Sequence, residues 1–154
     1  MERSWAAYEP AAALLHEDVR VVNDTALILV YYLHRDLERA EAMLRRCIEM
    51  GGPQLEAKRA ALASEASPEK AAALESEIGQ LTEAWGDAYQ NLGVLLWVHR
   101  SDAAGALPVL ERCLEVEPDR DRPPVENSLL PQVRGERPRD VDEYLGWAKP
   151  CEIR

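Results

Sequence analysis

Apolar positions recur along this chain at spacings of three and four residues, and no convincing alternating, strand-like stretch interrupts them. Thr25 to His34 and Leu37 to Met50 form one pair of such segments, with Asn23 and Asp24 before the first and Asp36 before the second as capping residues. Tyr89, Leu92, Leu96 and Val98–His99 mark a second pair's first face, and Ala106, Leu110, Cys113, Leu114 and Val116 its second face. Gly51-Gly52-Pro53 predicts a firm stop to the segment that starts at Leu37. Ser67-Pro68-Glu69 predicts a helix start, with Leu74, Ile78, Leu81 and Trp85 following at helical spacing. Near the end, Glu126 to Val133 reads as a short helix broken by Pro131, and Asp140 to Ala148 as a better one with Val141, Tyr144, Leu145 and Trp147 available to dock.

The two helical pairs repeat each other. Tyr31-Tyr32-Leu33-His34-Arg35-Asp36 returns as Leu96-Trp97-Val98-His99-Arg100-Ser101-Asp102, with Ser101 inserted. Ala40, Leu44, Arg46, Cys47 and Glu49 return as Ala106, Leu110, Arg112, Cys113 and Glu115. The first-helix matches lie 65 residues apart and the second-helix matches 66 apart, which two helical hairpins of about 34 residues each would fill.

Gly86 to Asp119 resembles a tetratricopeptide repeat: a large residue and Asn91-Leu92-Gly93 on the first helix, Ala106, Leu110 and Cys113 on the second, then Pro118. The resemblance implies an all-α fold, an α-solenoid of antiparallel hairpins in a right-handed superhelical stack, closed by C-terminal capping helices. On this reading residues 1–118 are the repeat array. Residues 1–20 are a half repeat, 21–53 a repeat, 54–85 a degenerate repeat or helical insert, and 86–118 a repeat; 119–154 are a connector and C-terminal helix. The first stretch, Ser4 to Leu15, is similar to the second helix of a hairpin, with Pro10 expected to confine it to residues after Glu9. Pro108 departs from the family pattern in the same way and predicts a helix start delayed to about Gly105 or a bent first turn. Ile28 stands where the later repeat has Gly93, so the first hairpin is expected to pack less closely. For 54–85 two readings stay open, a degenerate hairpin or a mobile loop leading into one longer helix. Gln54 to Ala66 is Ala- and charge-rich with little beyond Leu55, Ala61 and Leu62 to bury, so weak anchoring is expected there.

With 154 residues, 47% hydrophobic and 30% charged, the chain is long enough for one domain with a real core. Its formal charge of −10 leaves no basic face to collect phosphates, which disfavours nucleic acid and anionic membrane as partners. The longest apolar run, Ala26 to Leu33, is too short to span a bilayer, and Met-Glu-Arg-Ser lacks a signal-peptide pattern. Cys47, Cys113 and Cys151 form no CxxC and leave one thiol over in any pairing, so a reducing, cytoplasmic setting is expected. Asp-Arg-Asp-Arg-Pro-Pro, residues 119–124, reads as a solvated, extended connector.

No motif carries an enzyme. There is no glycine-rich phosphate loop, HExxH, GxSxG or metal-spaced Cys/His cluster, so no catalytic residue, cofactor or metal is expected. His34-Arg35 and His99-Arg100 fall on different hairpins and read as cations at helix C-termini. Cys47 and Cys113 take the small buried position of their hairpins and read as packing residues. The resemblance places the first helix of each hairpin along a concave groove. That implies a partner-binding face of Thr25, Leu29, Tyr32 and Leu33 from the first hairpin and Gln90, Asn91, Val94 and Trp97 from the later one. Asn91 matches the groove asparagine that bonds a ligand backbone or carboxylate in many family members, but Thr25 and Leu29 stand where a full carboxylate clamp would need basic residues. Two functions follow as expectations. One is a non-catalytic protein- or peptide-binding adaptor or scaffold, its acidity favouring a basic segment. The other is a structural or oligomerising spacer, self-associating, with its groove filled by its own C-terminal helix.

Overall fold

The computed structural model describes residues 2–116 and 122–141, and these are all-helical, without a strand. Helix α1 is Glu2–Leu14; α2, Val19–Leu27, runs on through a π-helical segment, Ile28–Leu33. Helix α3 is Leu37–Ser64, and α4, Pro68–Val94, also runs on through a π-helical segment, Leu95–His99. Helix α5 is Ala103–Val116; a last π-helical segment, Val125–Leu129, leads into α6, Leu130–Val133. Helix α2 packs against both α3 and α4, α5 lies on α4, α1 on α2, and α6 on α5. Most of Asp140 to Ala148, with Tyr144, Leu145 and Trp147, and residues 117–121 and Cys151 lie outside the described residues.

The core is built from the apolar faces the spacing marks. Leu29, Leu44, Leu92, Leu95, Leu110 and Leu129 are fully buried, each contributing about 1.5–3 kcal/mol of transfer free energy. The two hairpins, α2–α3 and α4–α5, are built alike. In both, the first helix widens from α to π geometry over its last turn. In both, the thiol on the second helix is buried and donates to a carbonyl of the first: Cys47 Sγ to Val19 O at 3.5 Å, Cys113 Sγ to Gly86 O at 3.3 Å. Gly93 leaves room for the Leu110 side chain across the later hairpin, since a Cβ there would meet it at 2.2 Å.

Several expected boundaries move. Helix α3 does not stop at Gly51-Gly52-Pro53 but continues to Ser64, and α4 runs unbroken through Gly86. Residues 54–64 and 68–85 are thus the outer halves of two long antiparallel helices, and the limits placed at 53/54 and 85/86 fall inside helices. The reason is tertiary. The Trp85 indole from α4 occupies the space over Gly51, where a Cβ would lie 2.3 Å from Cδ1, and its Nε1 donates to Ile48 O at 3.0 Å. The glycines are a notch for an indole rather than a terminator. Leu74, Ile78, Leu81, Trp85, Ala88 and Leu92 alternate four- and three-residue steps along α4, the seam spacing of a helix pair. Beyond Leu55, the outer half of α3 is mostly exposed.

Helix starts shift as well. Asp18, not Asn23 or Asp24, caps α2, its Oδ1 accepting from Val21 N at 3.0 Å. Asp36 holds the N-cap position of α3 without a side-chain cap bond. Ser67 caps α4 with Pro68 in the first turn, as the Ser-Pro-Glu pattern predicts. Pro10 lies inside α1 rather than before it, on the exposed side of the helix. Pro108 is likewise exposed inside α5, which starts at Ala103 because Asp102 Oδ1 accepts from Gly105 N at 2.8 Å. The connector is not wholly solvated: Arg122 is buried, and Pro123 and Pro124 are helical.

Candidate interaction face

The eight residues of the expected groove lie on α2, α4 and their π-helical ends, and the structure closes most of that face. Thr25, Leu29, Asn91 and Val94 are buried. Thr25 Oγ1 donates back to Val21 O at 2.7 Å, which leaves its methyl in the core. Asn91 Nδ2 donates to Asn23 Oδ1 at 3.0 Å, so the asparagine that the resemblance assigns to a ligand bonds α4 to α2 instead. Asn23 itself is drawn inside, which explains why it does not cap. Tyr32, Leu33, Gln90 and Trp97 remain half-buried.

The segment 122–141 reaches the later half of this face. Arg122 Nη1 donates to Asp87 Oδ1 at 2.9 Å and to Gln90 Oε1 at 3.0 Å. The Arg139 guanidinium stacks over the Trp97 ring, 5.0 Å from its centroid, and donates to the Trp97 and Val98 carbonyls at 3.1 and 3.0 Å. The π-helical turn at Leu95–His99 matters here, because a widened last turn leaves carbonyls that a side chain can reach. Asp140 N donates to Gln132 Oε1 at 2.7 Å, and Arg134 pairs with Glu111 of α5 at 2.9 Å, fixing this segment to its own helix and to α5.

His34 and His99 are brought together although they belong to different hairpins. Their rings tilt at 47° with centroids 5.6 Å apart. His99 Nε2 lies 3.1 Å from Val30 O, so that nitrogen carries the proton and donates. Burial, with His34 and Arg100 nearby, pushes the His99 pKa down despite that bond. No third ligand joins them: among the described residues no group of three or more His, Cys, Asp or Glu could hold a metal ion. Burial pushes the Cys47 thiol up to about 12, which keeps it a thiol rather than a nucleophile.

One cleft, about 450 Å³, opens where Glu17–Arg20 meets the long α3–α4 hairpin, with Gln54, Lys58, Glu77 and Gln80 on its walls. Its charges are paired across the walls, Arg20 with Glu83 at 2.9 Å and Lys58 with Glu77, and Gln54 donates to Glu17 O at 2.9 Å. That arrangement braces the hairpin against α2 and offers no acid–base couple.

Sequence reasoning missed Asn23, Arg122 and Arg139 as the groups that close this face. Both arginines stand in charged stretches of the sequence, and neither spacing nor periodicity distinguishes them. The His34–His99 pairing had a signal, their equivalent repeat positions. No helix among the described residues is long and apolar enough to cross a membrane. Compared with known proteins, the chain matches no family model, no curated protein and no solved structure.

Proposed function

We propose that this chain is a non-catalytic, tetratricopeptide-like scaffold that works through protein contacts, its inner helical face closed by its own segment 122–141. The observation that carries the reading is that polar and aromatic groups expected to greet a partner are already engaged: Asn91 by Asn23, Gln90 by Arg122 and Trp97 by Arg139. The like construction of the two hairpins supports the repeat architecture, with matching π-helical ends and matching thiol-to-carbonyl bonds. A buried hydrogen-bonded pair such as Asn23–Asn91 resists opening, because separating it leaves two buried polar groups unsatisfied.

A second reading, an adaptor whose basic ligand displaces the covering segment, is favoured by one feature. Arg139 is exposed and holds Trp97 through a cation–π contact and two carbonyl bonds, which an arginine or lysine of a ligand could replace. The two readings separate on Arg139→Ala, titrated with a partner recovered from the native source. A scaffold binding elsewhere keeps its affinity. An adaptor binds more tightly, because its internal competitor is gone.

A further inference from the structure

At one corner the second hairpin reaches the first through side chains that carry or can acquire charge. His99 Nε2 donates to Val30 O at 3.1 Å, and the His34 ring lies 5.6 Å from that of His99. Arg100 pairs with Glu38 of α3 at 2.8 Å and approaches Glu41 at 3.8 Å. His34 is exposed and His99 half-buried. The loops behind the two rings are tightly wound. His34 and Asp36 both hold left-handed backbone, at φ 49° and 50°, and Ser101 does so at 55° in the loop after His99. Residues other than glycine pay for such conformations and keep them only where surrounding contacts hold them.

We propose that His34 and His99 form an acid-sensitive joint between the two hairpins: the rings repel when both are protonated, so mild acid opens this corner while the shared apolar core stays packed. A second proton on His99 enters at Nδ1 and leaves the Nε2 bond to Val30 in place, so that bond alone does not respond to acid. The response comes from the neighbours. His34 faces His99 from the first hairpin, Arg100 follows it in sequence, and Arg139, with Asp140 after it, donates to the adjacent Trp97 and Val98 carbonyls. The acids of the corner are already committed. Glu38 and Glu41 face Arg100, Asp102 Oδ1 accepts from Gly105 N, and Asp36 stands beside the opposite charge of Arg35. The hydrogen bond from Arg100 holds the Glu38 carboxyl below its ordinary value, so that pair stays charged in mild acid and does not titrate with the rings. His99 already favours its neutral form, through burial first, with His34 and Arg100 adding to it. What opens is a surface ring and two strained loops, whereas Leu29, Leu44, Leu92 and Leu110 lie in the core and do not titrate. The inference concerns the seam between the hairpins and stands whether or not residues 122–141 close the inner face.

Histidine NMR titration and hydrogen exchange of the full chain, from about pH 7.5 to about pH 5, test it. In the wild type His99 should take up its proton at lower pH than the exposed His16. Amide protection over 30–36 and 95–102, corrected for the intrinsic pH dependence of exchange, should fall about tenfold across that range, while protection at Leu44 and Leu110 holds. His34 is exposed, so it can be changed without unfolding the chain, which circular dichroism checks. Glutamine and arginine there share the strain of a left-handed position and differ in charge. His34→Gln should raise the pH at which His99 protonates by about half a unit and keep the corner protected at about pH 5. His34→Arg should fix the acid state, lowering protection at about pH 7.5 to the level the wild type reaches in acid. A wild type whose corner is equally protected across the range overturns the proposal. So does a His34→Gln variant that opens in acid as the wild type does, which would place the sensitivity in the burial of His99 alone. A His34→Arg variant as protected as His34→Gln at about pH 7.5 overturns it too, since charge at position 34 would then have no bearing on the joint.

Discussion

Substituting Gly51 by alanine separates two roles for the Gly-Gly-Pro run. If Gly51 merely weakened the helix, alanine there would stabilise the chain by about 1 kcal/mol through helix propensity. The structure instead sets its Cβ 2.3 Å from Trp85 Cδ1, 2.5 Å from Cγ and 2.8 Å from Nε1. The indole cannot easily step aside, because Nε1 is held by Ile48 O at 3.0 Å and the ring packs on Tyr89 with centroids 5.8 Å apart. Overpacking of this kind costs about 1–3 kcal/mol, and loss of the indole hydrogen bond adds about 0.5–1.5 kcal/mol. After the propensity gain, Gly51→Ala should destabilise the fold by about 1–3 kcal/mol. Two neighbours serve as controls. Gly52→Ala brings its Cβ only to 3.3 Å of Cζ2 and should fall within about 1 kcal/mol of wild type. Gly79→Ala meets nothing within 4 Å and should stabilise by about 1 kcal/mol. Urea unfolding with an unchanged slope gives all three values. Gly51→Ala as stable as Gly79→Ala would refute the reasoning and return the glycines to a helix-breaking role.

Other expectations follow from single contacts. Leu44→Ala and Leu110→Ala should each cost about 2–5 kcal/mol in chemical unfolding, while Cys47→Ala should be far milder. Cys47 and Cys113 are fully buried, so both thiols should resist a disulfide reagent in the folded state and react on denaturation; fast labelling of either without unfolding would contradict their packing role. The lowered His99 pKa means that the folded chain favours the neutral ring. Stability should therefore fall as pH drops from the unfolded histidine value, about 6.5, towards the lower folded value, and level off below it. His99→Gln should flatten that part of the pH profile, measured as the urea midpoint. Asn91→Ala should cost about 1–3 kcal/mol, because Asn23 then loses its buried partner.

The helices were legible because their signal is local. Spacing placed the apolar faces of α2, α3, α4 and α5, and the LxRC pattern, repeated at Leu44 and Leu110, matched the two hairpins that share a core. The length of α3 was not legible. Glycine and proline weaken a helix through their own backbone, whereas the indole that needs that space arrives from Trp85, 34 positions after Gly51. The caps failed for a related reason: Asn23 is a good cap by type, but a long-range partner, Asn91, takes its side chain indoors. Of the groove residues, the helices that carry them were read correctly, but Thr25, Leu29, Asn91 and Val94 are buried. Whether Leu29 or Val94 lines a groove or fills a core depends on the crossing of α2 and α4, which periodicity does not specify.

The closed inner face can be put to one binding titration: a partner recovered from the native source against wild type and against Gln90→Ala/Trp97→Ala. Both substitutions lie on half-buried positions of that face, so circular dichroism and urea unfolding establish first that the variant is folded. For a scaffold whose inner face is occupied by residues 122–141, the two dissociation constants should agree within about twofold, under 0.5 kcal/mol. A loss of about tenfold or more, about 1.4 kcal/mol, in a variant as stable as wild type would mean that partners enter where Arg122 and Arg139 now sit.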